Sequence, residues 1–158
     1  MFDQVNGLPV HILVLHAAVI FVPLLVLGSI VYAFVAPWRP KIGWAVGLLA
    51  VVAPGAALIT KLSGTELYNR LISEERVSPA GRAILDQHMG YGDRTTWFAI
   101  ALGVVTLILV ALTWRNPRAL PRIADLAFAV VVLVLGGLAA YYVFQTGDSG
   151  ATAVWGSY

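Results

Sequence analysis

The chain is expected to be an all-α integral membrane protein, a four-helix bundle with a helical extracytoplasmic segment between helices two and three. Three observations carry that expectation. Hydrophobic residues make up 59% of the 158 residues and charged residues only 11%, against about 25% charged in a soluble domain. The apolar residues gather into four runs, at about 10–36, 42–62, 96–114 and 123–145, and a helix needs roughly 20 such residues to cross the hydrocarbon. The two short connections between runs are basic. Together these make residues 1–158 one transmembrane domain, with residues 63–95 as its outer segment.

The start, Met1-Phe2-Asp3-Gln4, lacks the basic stretch of a signal peptide, and the first run is too long for one, so it reads as a retained span. Pro23 in span one and Pro54 in span two each remove a backbone donor and should kink their helices toward neighbours. Arg39 and Lys41 precede span two, and Arg115, Arg118 and Arg122 precede span four. The positive-inside rule puts both loops in the cytoplasm of a cell (inner) membrane protein, with both termini extracytoplasmic. Lys61, Arg70, Arg76, Arg82 and Arg94 in the outer segment are offset by Glu66, Glu74, Glu75, Asp86 and Asp93. Trp38, Trp44, Trp97 and Trp114 stand at span ends, as an aromatic belt requires.

The outer segment reads as two helical pieces. Residues 65–75 form a short interfacial helix with Leu67 and Leu71 on one face. Ser78-Pro79 then caps a second helix that runs through His88 into span three, weakened locally by Gly90 and Gly92. Small residues such as Gly43, Gly47, Gly103 and Gly136 permit close helix approach. No internal repeat is evident beyond the hairpin resemblance of the two halves.

The chemistry lies in the polar residues at span ends. His11, His16, Glu66, His88 and Asp148 all fall at the same end of such a bundle, and they include all three histidines of the chain. Ionisable groups at membrane depth are expensive and usually mark function. Imidazole with carboxylate suits zinc, iron or copper, so these five are the candidate metal ligands. A b-type haem would take two histidines from different helices, and His16 with His88 is the expected pair. His11 and His16 are about 140° apart around a helix and do not share a face. His16 shares one with Pro23 and is expected to point inward. The glycines of Gly147-Asp148-Ser149-Gly150 would turn the chain back over the bundle. The plain alternatives are hydrogen-bonded structural histidines, Glu66 paired with Arg70, and Asp93 paired with Arg94. The absence of cysteine excludes thiolate metals and c-type haem attachment within the chain. The net charge of +2 gives no reason to expect nucleic acid.

At these residues the chain resembles a bacterial family of four-span membrane proteins, domain of unknown function 2231, and most closely its actinobacterial-type members. Those open with Gly-Leu-Pro-x-His-Pro-x-x-x-His, and here Gly7-Leu8-Pro9-Val10-His11 leads to His16, with Ile12 in place of the proline. A Ser-Gly-Glu-like stretch stands as Ser63-Gly64-Thr65-Glu66, with one extra residue. His-x-x-x-Gly-Asp stands as His88-Met89-Gly90-Tyr91-Gly92-Asp93. The closing Gly-His-Ser-Gly-Ala and Trp-Gly stand as Gly147-Asp148-Ser149-Gly150-Ala151 and Trp155-Gly156, with Asp148 replacing histidine. Relatives that look fused to cytochrome or Rieske-type domains imply a redox setting.

The resulting expectation is a haem- or metal-binding module serving membrane electron transfer, a binding protein rather than an enzyme by itself. Its partners would be the lipid bilayer with redox membrane proteins or further copies of the chain. The alternative is an accessory or assembly subunit of a larger membrane complex. The topology is directly testable. In single-cysteine variants Ser73→Cys and Arg118→Cys, an impermeant reagent applied to intact cells should label position 73 alone. Labelling of position 118 alone would reverse the orientation.

Overall fold

A computed structural model describes residues 4–5 and 8–156, with side chains from residue 10 onward. Gly7, which opens the first motif, and Met1-Phe2-Asp3 lie outside the described residues. Gln4–Val5 pairs antiparallel with Leu8–Pro9 in a two-residue ladder just before the first helix. Four helices follow: α1 (Val10–Phe34), α2 (Arg39–Ser73), α3 (Pro79–Thr113) and α4 (Arg122–Trp155). All four are long and apolar enough to cross a membrane. They form a ring in which each packs on its sequence neighbours and α1 closes on α4.

The outer segment differs from expectation in one respect. Residues 65–75 are not a separate interfacial helix, because α2 continues unbroken from Arg39 to Ser73. Gly64 lies in mid-helix, and no proline follows it to break the helix. At 35 residues each, α2 and α3 are about 50 Å long and outreach a hydrocarbon core of about 30 Å. Glu75 ends α2 in the left-handed conformation (φ 52°), while Arg76 N–H donates to the Leu71 carbonyl (3.1 Å). This is the bonding of a Schellman stop, with glutamate where glycine is usual. The Ser78 hydroxyl accepts from Gly81 N–H at 3.1 Å, and Pro79 opens α3, which runs through His88 as expected.

α4 also corrects the expectation. It does not turn back at Gly147-Asp148-Ser149-Gly150 but stays helical to Trp155. Glycine permits a turn without requiring one, and the helical hydrogen bonds continue. Pro54 faces α3, where its Cγ would lie 2.8 Å from a Cβ at Gly103. Trp38, Trp44, Trp97 and Trp114 are all exposed, as anchors should be.

The two halves repeat one pattern of buried positions. Shifting α1 by 77 positions and α2 by 86 lays the first hairpin on the second. All seven buried residues of α1 then fall on buried residues of α3, from Ala18 on Thr95 through Val26 on Gly103 to Ala33 on Val110. Every buried residue of α4 is the image of one in α2: Ala129 of Gly43, Val132 of Val46, Gly136 of Ala50, Ala139 of Ala53, Val143 of Ala57 and Ser149 of Ser63. Both hairpins run the same way, so their pseudo-twofold axis lies along the bundle, as in parallel membrane repeats.

A residue can touch its own image only near that axis, and among the described residues three polar pairs do. Ser29 and Thr106 share a buried hydrogen bond at 2.9 Å in mid-bundle. His11 and His88 meet at one end. Arg39 and Asp125 form a 2.7 Å ion pair at the other. Arg39 is only 2% exposed. It also donates to the carbonyls of Tyr32 (3.0 Å), Ala33 (3.0 Å) and Pro117 (2.8 Å). One guanidinium therefore closes the end of α1, the α3–α4 loop and the start of α4. Its planar fork suits several acceptors at once. Arg39→Ala removes all of these ties and leaves Asp125 without its partner. Asp125 is a third exposed, so the cost stays below the roughly 3–5 kcal/mol of a fully buried pair, and the variant should melt below the parent in detergent. An unchanged thermal midpoint would show that the arginine end is held by other contacts.

Candidate cofactor site

The histidine end is built from two copies of a short sequence. Thr60-Lys61-Leu62-Ser63-Gly64 on α2 and Thr146-Gly147-Asp148-Ser149-Gly150 on α4 share the pattern Thr-x-x-Ser-Gly. Each receives one histidine from the preceding helix. His11 Nδ1 lies 3.0 Å from the Thr60 carbonyl oxygen and 3.5 Å from Ser63 Oγ. His88 Nδ1 lies 3.1 Å from both the Thr146 carbonyl oxygen and Ser149 Oγ. Helical spacing explains the pattern. A carbonyl and a hydroxyl three residues apart stand on one face, and glycine in the next position lowers the helix surface there.

The glycines are needed for contact. A Cβ on Gly64 would lie 3.0 Å from His11 Cε1 and Nδ1, and one on Gly150 would lie 3.0 Å from His88 Cε1. The serines are buried, and each hydroxyl also donates within its own helix, Ser63 to Thr60 (3.0 Å) and Ser149 to Gln145 (2.7 Å).

A carbonyl oxygen only accepts, so Nδ1 of each ring is the protonated nitrogen. In the neutral ring Nε2 then holds a lone pair for a metal, a haem iron or a proton. The ring centroids are 6.2 Å apart and the rings are nearly perpendicular, at 83°. Around them lies a cleft of about 460 Å³ walled by all four helices and largely apolar, with Leu15, Ala57, Met89 and Val143 among its lining. That volume is in the range of small-molecule and cofactor sites, about 300–1,000 Å³.

Only part of the expected ligand set is assembled. His11 and His88 come together. His16, Glu66 and Asp148 are exposed on outer faces. Among the described residues no group of three or more histidine, aspartate or glutamate side chains is placed to hold a metal. The expected His16–His88 pair is thus replaced by His11–His88. His16 is about 140° from His11 around the helix; with His11 on the axis, His16 must face outward. Asp148 falls on the image of Leu62, which is 58% exposed. Asp93 pairs with Lys61 at 3.0 Å, not with Arg94 as expected.

Sequence reasoning missed Thr60, Ser63, Thr146, Ser149 and the cradle role of the two glycines. The repeated Thr-x-x-Ser-Gly pattern was the available signal. Gly64→Ala and Gly150→Ala should each displace a ring or spread two helices, a strain of about 1–3 kcal/mol. Gly147→Ala, where a Cβ meets no atom within 4 Å, should hold or gain stability, by up to about 1 kcal/mol from helix propensity. Thermal unfolding of the three variants in detergent checks this, and equal stability of all three would show that the cradles have slack.

No curated protein and no solved structure matches the chain. One family model does, over residues 7–157, and its description is a predicted membrane protein. The matched residues take in both hairpins, both Thr-x-x-Ser-Gly cradles and the histidine pair, so the chain belongs to the family of predicted membrane proteins DUF2231.

Proposed function

We propose that the chain is a membrane-embedded cofactor module for electron transfer, with haem b, or else a transition metal, held between His11 and His88. The observation that carries this reading is the convergence of two imidazoles, both anchored through Nδ1, in a largely apolar cleft. Metal-binding histidines usually donate their other ring nitrogen to such a carbonyl, which fixes the ring and raises its basicity. The ring centres lie 6.2 Å apart, close enough for the two histidines to share one bound group. A structural zinc takes four protein ligands, whereas haem iron takes two axial ones. Two converging histidines therefore favour haem among the candidate groups. Bound there, haem would supply one-electron redox chemistry; the protein's part would be to hold the two imidazoles in place through the Thr60 and Thr146 carbonyls.

The basic loops lie at the opposite end of the bundle from the histidines. By the positive-inside rule, this reading puts the site on the outer side of the cell membrane, near redox partners there. A second reading, a scaffold or assembly subunit, draws on the same hydrogen bonds. His11 ties α1 to α2 and His88 ties α3 to α4 without any cofactor.

An optical spectrum and metal analysis of detergent-purified protein separate the two. The expected result is a Soret band, lost in His11→Ala and His88→Ala and retained in His16→Ala. Metal without a Soret band, with the same dependence on His11 and His88, would exchange haem for a metal ion. A colourless, metal-free protein that takes up no added haem would decide for the scaffold. As a scaffold, His11→Ala would lose only an interhelical hydrogen bond, about 0.6 kcal/mol on average.

A further inference from the structure

The two hairpins are alike in their buried positions but differ at the mouths of the cleft. On the α2–α3 side, the Lys61 ammonium meets the Asp93 carboxylate at 3.0 Å and lies 5.7 Å from the Trp97 ring centre. Just below, the Thr96 hydroxyl donates to the Ala57 carbonyl, and Thr96 is only 3% exposed. Deeper still, Gly103 lets α3 lie so close to α2 that a Cβ there would stand 2.6 Å from the Ala50 carbonyl oxygen. Long side chains and close backbone contact shut this seam.

The images of those residues leave the α1–α4 seam open. Gly147 stands where Lys61 does, His16 where Asp93 does, and Ile20 where Trp97 does. Gly147 has open space where a side chain would be. Val19, the image of Thr96, has no hydroxyl to offer α4 and is 45% exposed. Val19 and Gly147 line the cleft of the histidine pair from this side, as Lys61, Asp93 and Thr96 line it from the other, so the difference between the seams lies in what fills them.

We infer that the α1–α4 seam is a lateral door through which the cleft receives an apolar, bilayer-dissolved ligand, while the Lys61–Asp93–Trp97 group keeps the α2–α3 seam closed. The ligand class rests on the proposed haem reading, haem being a flat, largely apolar ring that partitions into lipid. The door itself rests only on the asymmetry of the two seams. The exposed ion pair is worth little as energy; its role is to fill space across the seam.

The test transplants the closed seam onto the open one. Full-length protein in lipid nanodiscs carries Gly147→Lys, His16→Asp and Ile20→Trp together. A small apolar aryl diazirine dissolved in the lipid is photolysed, and labelled peptides are located by mass spectrometry. Ala57 and Thr95 are the reporters, since both line the cleft and both are nearly buried. The parent should be labelled at both, and the triple variant should lose that label. Adding Lys61→Gly and Asp93→His to the triple variant should restore it by opening the other seam. Unchanged labelling in the triple variant, with its helical circular dichroism intact, would overturn the door. So would an unlabelled cleft in the parent.

Haem added to the nanodiscs provides the separate arm. Slow uptake in the triple variant with an unchanged final Soret band supports the door as the haem route. Loss of label without haem binding in any variant keeps the door and rejects the haem reading. Equal uptake rates with unchanged label keep haem and reject the door.

Discussion

Hydrocarbon offers no hydrogen bonds, so a polar side chain that enters a membrane bundle must find its partner inside. In this chain the partners stand on or beside the axis that relates the two hairpins. Ser29 meets Thr106, Arg39 meets Asp125 and His11 meets His88, each residue facing its own counterpart. The rest of the architecture follows from satisfying these pairs. Gly43 lies against the Tyr32 ring, and that ring turns its hydroxyl to Thr113 at 2.8 Å. Gly103 and Gly136 bring the helices close enough for short polar side chains to reach across. The arginine end is closed by one guanidinium bonded through all three of its nitrogens, and the histidine end stays open around two rings.

Much of this was legible in the residues. Run length and composition identify the four spans, because twenty apolar residues have few other folds open to them. The Ser78-Pro79 cap is readable because its chemistry is local. The continuity of α2 past Gly64 was not legible. A change from apolar to amphipathic sequence marks where a helix leaves lipid, and does not mark where it ends. The helical course of Gly147 to Gly150 was hidden for a related reason, since Gly150 makes room for the neighbouring His88 ring and does not bend the local backbone.

The site was half legible. Its end of the bundle and two of its histidines follow from span order. The choice between His11 and His16 depended on which face of α1 meets the axis, and Pro23 was a poor guide to it. Lipid-facing positions are apolar too, so a span carries little amphipathic signal to orient it. The duplication was concealed likewise. Ala50 and Gly136, or Tyr32 and Leu109, are interchangeable in packing terms and unlike as letters. The Thr-x-x-Ser-Gly pair kept its spelling as a motif, because a carbonyl, a hydroxyl and a missing side chain must coincide to seat an imidazole.

The two hairpins sit in one polypeptide, joined by the short turn at Glu74 to Ser78. Two copies of a single hairpin gene product would be identical, and any change at one cleft mouth would appear at the other. Covalent linkage removes that constraint. The central pairs can keep their places while the rims diverge independently. Arg39 facing Asp125 is the plainest instance, since a self-associating hairpin would oppose arginine to arginine or aspartate to aspartate. A linked chain can therefore be symmetric along its axis and one-sided at its rim.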